Sequence, residues 1–226
     1  MKIEDLINLY KLKKEQFGKL AFKHISSILR DAKELHKKDF LTTSNKTDHE
    51  QSWRSFKEKN LEKLIEFIIT DEIRELGLEV INGNSLERTS GANLSESMSK
   101  IKRNLLVDFG EFGHHLPDID IVIYEPRTLK IIAVLSSKVT IRERVAQTGY
   151  WKLKLASDPI TKHIKVFLIT PDEDGTLTNS KPCKKGRAII EVDTDGCYVL
   201  SETEIEESNK IKTFDKLILD IKQILK

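Results

Sequence analysis

Apolar residues along the first third of the chain recur at three- and four-residue intervals. In residues 1–38, Leu6, Ile7, Tyr10, Leu20, Phe22, Ile25, Ile28 and Leu29 stand at roughly helical spacing among lysines, which predicts helix. Residues 41–51, LTTSNKTDHEQ, are polar and read as a linker. A second helix is predicted over 52–76 on the stripe Trp53, Phe56, Leu61, Leu64, Ile65 and Ile68. Gly77 stops it, because glycine tolerates the left-handed backbone that ends helices. A short strand is predicted at 78–81, closed by the turn Asn82-Gly83-Asn84. Residues 85–99, rich in Ser, Asn, Glu and Gly, predict a loop or weak helix; 100–107 can be helical and 108–117 cannot.

The period changes in the second half. Residues 119–124 alternate, Glu125-Pro126-Arg127-Thr128 turns, and 130–135 runs apolar, the pattern of a β-hairpin. A helix is predicted over 141–155, a buried strand over 164–169, and further strands over 188–192 and 198–200. Residues 208–225 predict a closing amphipathic helix with Ile211, Phe214, Leu217, Ile218, Ile221, Ile224 and Leu225 inside. There is no internal repeat. The fold class that follows is α/β, a mixed central β-sheet flanked by helices.

Composition narrows the class without choosing a partner. A chain of 226 residues can bury a core without disulfide or zinc staples. With 33% charged residues and no apolar run near the ~18 residues of a membrane span, it is expected to be soluble. The N-terminus carries acids and no apolar h-region, so no signal peptide is read there and a cytoplasmic location is expected. Lys and Arg number 38 against 36 Asp and Glu, a balance that rules out a histone-like polycation. A local basic patch on a neutral whole still allows a nucleic-acid partner. Cys183 and Cys197 are too few for a disulfide scaffold or a four-cysteine zinc site.

The chemistry concentrates in two neighbouring stretches, HLPDIDIVIY (115–124) and KIIAVLSSK (130–138). On a strand, side chains at i and i+2 share a face, so Asp118 and Asp120 are expected to point together, opposite Ile119, Ile121 and Ile123. Ser136 and Lys138 share a face on the partner strand in the same way. The hairpin thus gathers two carboxylates, a hydroxyl and a lysine at the end of a rigid sheet. Hard oxygen ligands suit Mg²⁺, which keeps waters and takes one or two carboxylates with a substrate phosphate. A nearby lysine can serve the attacking water and stabilise the crowded phosphorus, so the expected reaction is metal-assisted phosphodiester hydrolysis. The plain alternative is that Pro117-Asp118 merely opens a strand and Lys138 is its polar end.

After the lysine comes Val139-Thr-Ile-Arg-Glu-Arg-Val-Ala-Gln147. Thr140 and Glu143 have the spacing of a helix capping box, which would start a helix at Ile141. Arginine also pairs bidentately with guanine O6/N7, and glutamate accepts from cytosine N4, so Arg142, Glu143 and Arg144 suit G·C pairs in the major groove. At this point both readings of Glu143 stand.

Pro117-Asp118 with Ser136-Ser137-Lys138 resembles the PD-(D/E)xK nuclease motif. The continuation Lys138-x-x-x-Arg142-Glu143-Arg144-x-x-Gln147 is similar to the segment of type II restriction endonucleases that cut CCGG- and CCWGG-type sites. The resemblance covers about residues 115–150, and the element order of 52–170 agrees with the common nuclease core. It implies a sequence-specific type II restriction endonuclease hydrolysing double-stranded DNA with Mg²⁺ at a G/C-containing palindrome, leaving a 5′-phosphate. Asp118 and Asp120 would bind the metal, Lys138 would serve the water with Ser136 beside it, and Arg142, Glu143, Arg144 and Gln147 would read the site. A palindromic target implies a homodimer, and a restriction enzyme implies a cognate DNA methyltransferase as genetic partner. The expected organisation is one nuclease domain over 1–226, with 1–47 a helical N-terminal extension and 52–200 the catalytic core.

Two departures from the pattern matter. Ser136 stands where the motif has an acid, and relatives with serine there draw the second carboxylate from about 13 or 14 residues past the lysine, where this chain has Trp151 and Lys152. The missing acid is therefore sought in Asp120, Glu111, Glu62 or Glu66. Without it, the chain would be a weak or inactive DNA-binding protein; a repair or structure-selective nuclease of the same fold is the other rival. His114-His115, the basic loop from Lys181 to Arg187, and Tyr150-Trp151 are secondary candidates for phosphate or base contact. Each has an ordinary reading, respectively as polar linker, solvated turn and core.

Overall fold

The computed structural model describes residues 1–43, 48–88, 93–141 and 144–226. The predicted hairpin forms its middle: β4 (Ile121–Tyr124) pairs antiparallel with β5 (Ile131–Ser137), and β1 (Glu79–Asn82) pairs antiparallel with β4 on the outer side. On the other side β6 (Lys165–Thr170), β7 (Gly196–Val199) and β8 (Ile211–Thr213) continue from β5 in parallel, giving the order β1-β4-β5-β6-β7-β8. A separate two-stranded ribbon joins β2 (Val107–Asp108) to β3 (His114–His115). The sheet is mixed and covered by helices on both faces, the architecture expected of this alternation of elements.

Strand alternation sorts the core. Ile121, Ile123, Leu135, Phe167, Ile169 and Tyr198 belong to one buried cluster with α1 (Ile3–Phe17), α2 (Ile25–Thr43), α3 (His49–Glu75) and α8 (Leu217–Ile224). Val122, Val134 and Val166 face the other way, toward α4 (Gly83–Arg88), α5 (Glu96–Arg103) and α6 (Arg144–Ala156). Leu168, Cys197 and Val199 meet Val145 of α6 and Ile190 of α7 (Lys185–Asp193) in a third cluster. A β-bulge interrupts the hairpin: Ile123 pairs with Ala133 but Tyr124 with Ile131, so Ile132 has no partner. Ile132 and Ala133 therefore enter the same cluster, and the alternation restarts before it reaches Lys138.

Local signals explain the helix ends. The Asp48 carboxylate caps α3 by accepting from Gln51 N at 2.9 Å, and Ser95 caps α5 from Met98 N at 3.2 Å. Gly77 takes φ 76° after α3, the left-handed stop predicted for it. Helices α1 and α2 bury Leu6, Tyr10, Ile25 and Ile28 in the same cluster as α3 and the sheet.

Three elements that differ from the sequence reading are instructive. Residues 188–192, predicted as a strand, lie in α7, where Arg187 and Ile190 are buried and Val192 is exposed. That three-residue spacing outweighs the weak β preference of a branched run. The predicted helix over 208–225 is instead β8, a 3₁₀ turn (Phe214–Lys216) and α8. Ile211, Phe214, Leu217 and Ile221 keep a three- to four-residue spacing throughout, which imitates one helix, but the open edge of β7 takes Ile211–Thr213 as a strand. Finally, β4 begins at Ile121 rather than at 119, with a consequence for the site.

Candidate active site

At the end of β5 the backbone N–H of Lys138 donates to Ile169 O at 3.1 Å, holding the lysine against β6. Across the hairpin, Asp120 N donates to Leu135 O at 3.1 Å, and the Asp120 carboxylate accepts from Ser137 N at 2.6 Å. The side chain thus closes the open end of the hairpin. From the far side Gly83 N donates to Asp120 O at 2.8 Å. A Cβ on Gly83 would lie 1.9 Å from Ile119 O, so only glycine allows this approach. Asp120 is left 3% exposed, pinned on both flanks.

Opposite it stands Glu62 of α3, 9% exposed and hydrogen-bonded to the Asp120 carboxyl. Asn84 Nδ2 donates to Glu62 Oε2 at 3.1 Å. Burial raises the Glu62 carboxyl well above its ordinary range, and the facing Asp120 adds to the rise; Lys138 and Arg144 oppose it. Burial likewise raises Asp120, with a further push from the charge of Asp118, against the Ser137 N–H and the charges of Arg144 and Lys138. Two desolvated carboxyls side by side resist ionising together, so each raises the other against the pull of Lys138 and Arg144. Lys138 Nζ lies 3.4 Å from Glu58 Oε2, one helical turn before Glu62. Glu58, Glu62, Asn84 and Lys138 line an open groove of about 970 Å³, together with Lys59, Lys63 and Arg88.

The two aspartates of the hairpin do not share a face, contrary to expectation. Ile119 packs with the second cluster whereas Ile121 and Ile123 pack with the first, so the alternation stops short of Asp118. Residues 116–120 lie outside the strand, with Gly83 packed close against 119–120. Asp118 is 56% exposed by side chain, and its Oδ2 accepts from Arg144 Nη1 at 2.8 Å and from Gln147 Nε2 at 2.6 Å. Arg144 Nη1 also donates to Gln147 Oε1 at 2.9 Å. Arg142 and Glu143, and with them the capping-box reading, lie outside the described residues. Ser136 is buried on β5 in register with Leu168.

Of the other candidates, Glu66 lines the same groove and accepts from Asn82 Nδ2 at 3.2 Å, whereas Glu111 is exposed on the turn before β3. His115 bonds Phe112 O at 2.9 Å and His114 lies 4.0 Å from Asp108, both within the small ribbon. Arg187 is buried, bonded to Leu177 O and Glu206 O, and so is no phosphate ligand. Trp151 packs into the second cluster, with Tyr150 against it at the surface. Cys183 is exposed and Cys197 buried. Sequence reasoning missed Glu58, Gly83 and Asn84. A signal existed for the first, since Glu58, Glu62 and Glu66 repeat at i, i+4 on one helix face. Asn82-Gly83-Asn84 was legible only as a turn.

Comparison with known proteins follows the same direction. A family model described as BsaWI restriction endonuclease type 2 matches residues 97–220. The chain is 38% identical over 218 residues to the putative type II restriction enzyme MjaVIP of Methanocaldococcus jannaschii, covering 90% of this chain and 94% of that protein. It is 40% identical over 118 residues to the probable type II restriction enzyme HpyAORF263P of Helicobacter pylori, covering 52% of this chain and 59% of the other. The structure of restriction endonuclease PspGI with substrate DNA superposes with a TM-score of 0.51 at 16% identity, covering 98% of this chain and 80% of that one. At that identity the likeness is one of fold.

Proposed function

From the premise that the chain belongs to the BsaWI family of type II restriction endonucleases, we propose that it hydrolyses duplex DNA at a G/C-containing palindrome with Mg²⁺, through Glu62, Asp120 and Lys138. The observation that carries the reading is the buried Glu62–Asp120 pair beside Lys138. Among the described residues no group of three or more His, Cys, Asp or Glu forms a metal cluster. Two carboxylates fit an ion that keeps several waters and accepts a phosphate oxygen as ligand, which is the habit of Mg²⁺. Such an ion would offset the cost of ionising both carboxyls, polarise the scissile phosphate and acidify the attacking water.

The protein's own groups do the rest. Asn84 holds the Glu62 carboxylate from behind, and Ser137 N–H with Gly83 N–H keeps Asp120 from turning. Lys138 stands at the rim, where its ammonium can bind a phosphate oxygen and stabilise the charge that grows in the transition state. Lys59, Lys63 and Arg88 give the groove positive charge suited to a sugar-phosphate strand. Ser136 serves as the strand residue that keeps Ser137 and Lys138 in register. In this reading the metal ligand is Asp120 rather than Asp118, with Glu62 supplying the acid that Ser136 does not. Base reading falls to Arg142 and Glu143 together with Arg144 and Gln147 of α6, by the pairing rules of the major groove. Cutting both strands of a palindrome calls for a homodimer, and the gene is expected beside that of a DNA methyltransferase. Among the described residues no helix is long and apolar enough to cross a membrane.

Incubation with plasmid and phage DNA, in Mg²⁺ or in EDTA, tests this directly. Discrete metal-dependent fragments whose ends share one palindrome are expected. Intact DNA at large enzyme excess overturns the reading, and cutting without a common end sequence assigns the fold to a sequence-independent nuclease.

A further inference from the structure

Asp118, Arg144 and Gln147 close a three-membered ring of hydrogen bonds. One oxygen, Asp118 Oδ2, accepts from Arg144 Nη1 at 2.8 Å and from Gln147 Nε2 at 2.6 Å, and the third side is Arg144 Nη1 to Gln147 Oε1 at 2.9 Å. Arg144 and Gln147 lie one turn apart on α6, so both side chains rise from one face. Asp118 belongs to the stretch leading into β4, two residues before Asp120. The ring therefore ties the front of α6 to the backbone that carries the buried carboxylate.

We propose that Asp118 is a specificity-determining positioning residue, which restrains Arg144 and Gln147 so that they meet base edges rather than phosphates. The inference rests on the reading of the chain as a site-specific nuclease and assigns Asp118 a part in choosing the site. A free arginine is long and reaches the phosphates of any sequence, a contact that positions but does not specify. Held through Nη1, the guanidinium is fixed in plane and direction, and its fork is useful only where two acceptors match it. Restraint acts on both sides of the comparison: it reduces the ordering needed at the right sequence and removes an easy contact at the wrong one. Arg144 is only 9% exposed by side chain, as a restrained residue should be, while Asp118 is open to solvent.

The test separates geometry from charge. Wild type selects a preferred duplex from a randomised pool in EDTA, and affinities are then measured for that duplex and a scrambled one. Asp118→Ala, which removes the acceptor, is expected to lower the preference at least tenfold, binding the selected duplex more weakly and the scrambled one equally or better. Asp118→Asn removes the charge but keeps an acceptor, and is expected to retain the greater part of the preference. A parallel gain in affinity for both duplexes, equal for Ala and Asn, would mean that Asp118 acts only by repelling phosphate and overturns the proposal. An unchanged preference in the Ala variant overturns it too. A wild type without any preferred sequence defeats the site-specific reading itself, visible before any variant is made. The exposed position of Asp118 keeps both variants folded, which a melting curve verifies.

Discussion

Asp120 and Asp118 are the same residue type two positions apart, yet they occupy opposite environments. Asp120 is 3% exposed, held by two backbone N–H groups' worth of surrounding structure and facing another buried carboxyl, Glu62. Asp118 stands in solvent with its charge already met by Arg144. On the proposed reading, the difference decides which carboxylate a metal would use. Burial drives Asp120 and Glu62 toward a proton even with Lys138 and Arg144 nearby, and on the proposed reading a divalent ion would remove that penalty. An exposed acid already paired gains little from an ion and is free to orient the groups around it. On the proposed reading, a catalytic corner and a reading corner would be built from one short stretch of chain, with Asp120 buried and Asp118 exposed.

The comparison breaks first at the catalytic corner. Lys138→Ala and Glu62→Gln are expected to lower the cleavage rate by roughly 10²–10³ or more while leaving DNA binding intact, measured by single-turnover cutting and by binding in EDTA. If Glu62→Gln cuts at the wild-type rate, the buried pair is not the metal site. Next is Gly83→Ala. Its Cβ would lie 1.9 Å from Ile119 O, a backbone atom that cannot swing aside. A loss of about 1–3 kcal/mol in stability is expected from overpacking, with cleavage reduced further as Asp120 shifts. Unchanged melting and cutting would show that the segment 118–120 is not pinned as described.

A smaller effect concerns pH. The folded carboxyls of Glu62 and Asp120 are raised above their unfolded values, which for Glu62 is 4.5. A raised acid contributes stability that is fully present below the unfolded pKa and is lost as pH rises through the folded one. The metal-free protein is therefore expected to melt lower as pH climbs above about 4.5 toward and beyond neutrality. Asp172, raised to about 6 chiefly by burial, adds a slope of the same sign. Glu62→Gln should flatten the profile by removing one partner, and Mg²⁺ should restore the wild type at high pH. Each unit of raised pKa corresponds to about 1.4 kcal/mol, so thermal melts at several pH values in EDTA resolve it. Equal slopes in the two proteins would place the source in Asp120 or Asp172 rather than Glu62.

The contrast also shows what was readable from the chain alone. Helix α3, the hairpin and Lys138 were legible because their signals are local: helical spacing from Trp53 to Ile68, alternation from Ile121 to Tyr124, and a lysine at a strand end. Glu62 was legible only as one of several acids, since Glu58, Glu62 and Glu66 share a helix face and the turn that meets Asp120 depends on how α3 seats on the sheet. The separation of Asp118 from Asp120 was hidden, because the strand starts only at Ile121 and residues 119–120 meet Gly83, a neighbour remote in the sequence. The edge strand β8 was hidden for a related reason: its apolar spacing suits a helix, and only the unpaired edge of β7 makes it a strand.

The finest distinction between the corners is in stability rather than catalysis. The Asp118–Arg144 pair has one solvent-exposed member, and such pairs contribute roughly 0–1 kcal/mol because water screens them. Asp118→Asn should therefore change the free energy of urea unfolding by no more than this, with Gln147 and Arg144 still able to donate to the new amide oxygen. The same variant would keep the pH profile described for Glu62, because it leaves the buried pair in place. A loss of several kcal/mol would instead mean that Asp118 supports the fold, as an ion pair buried on both sides does when one partner is removed. In that case the reading corner would be a structural extension of the catalytic one, and the division of labour between the two aspartates would not hold.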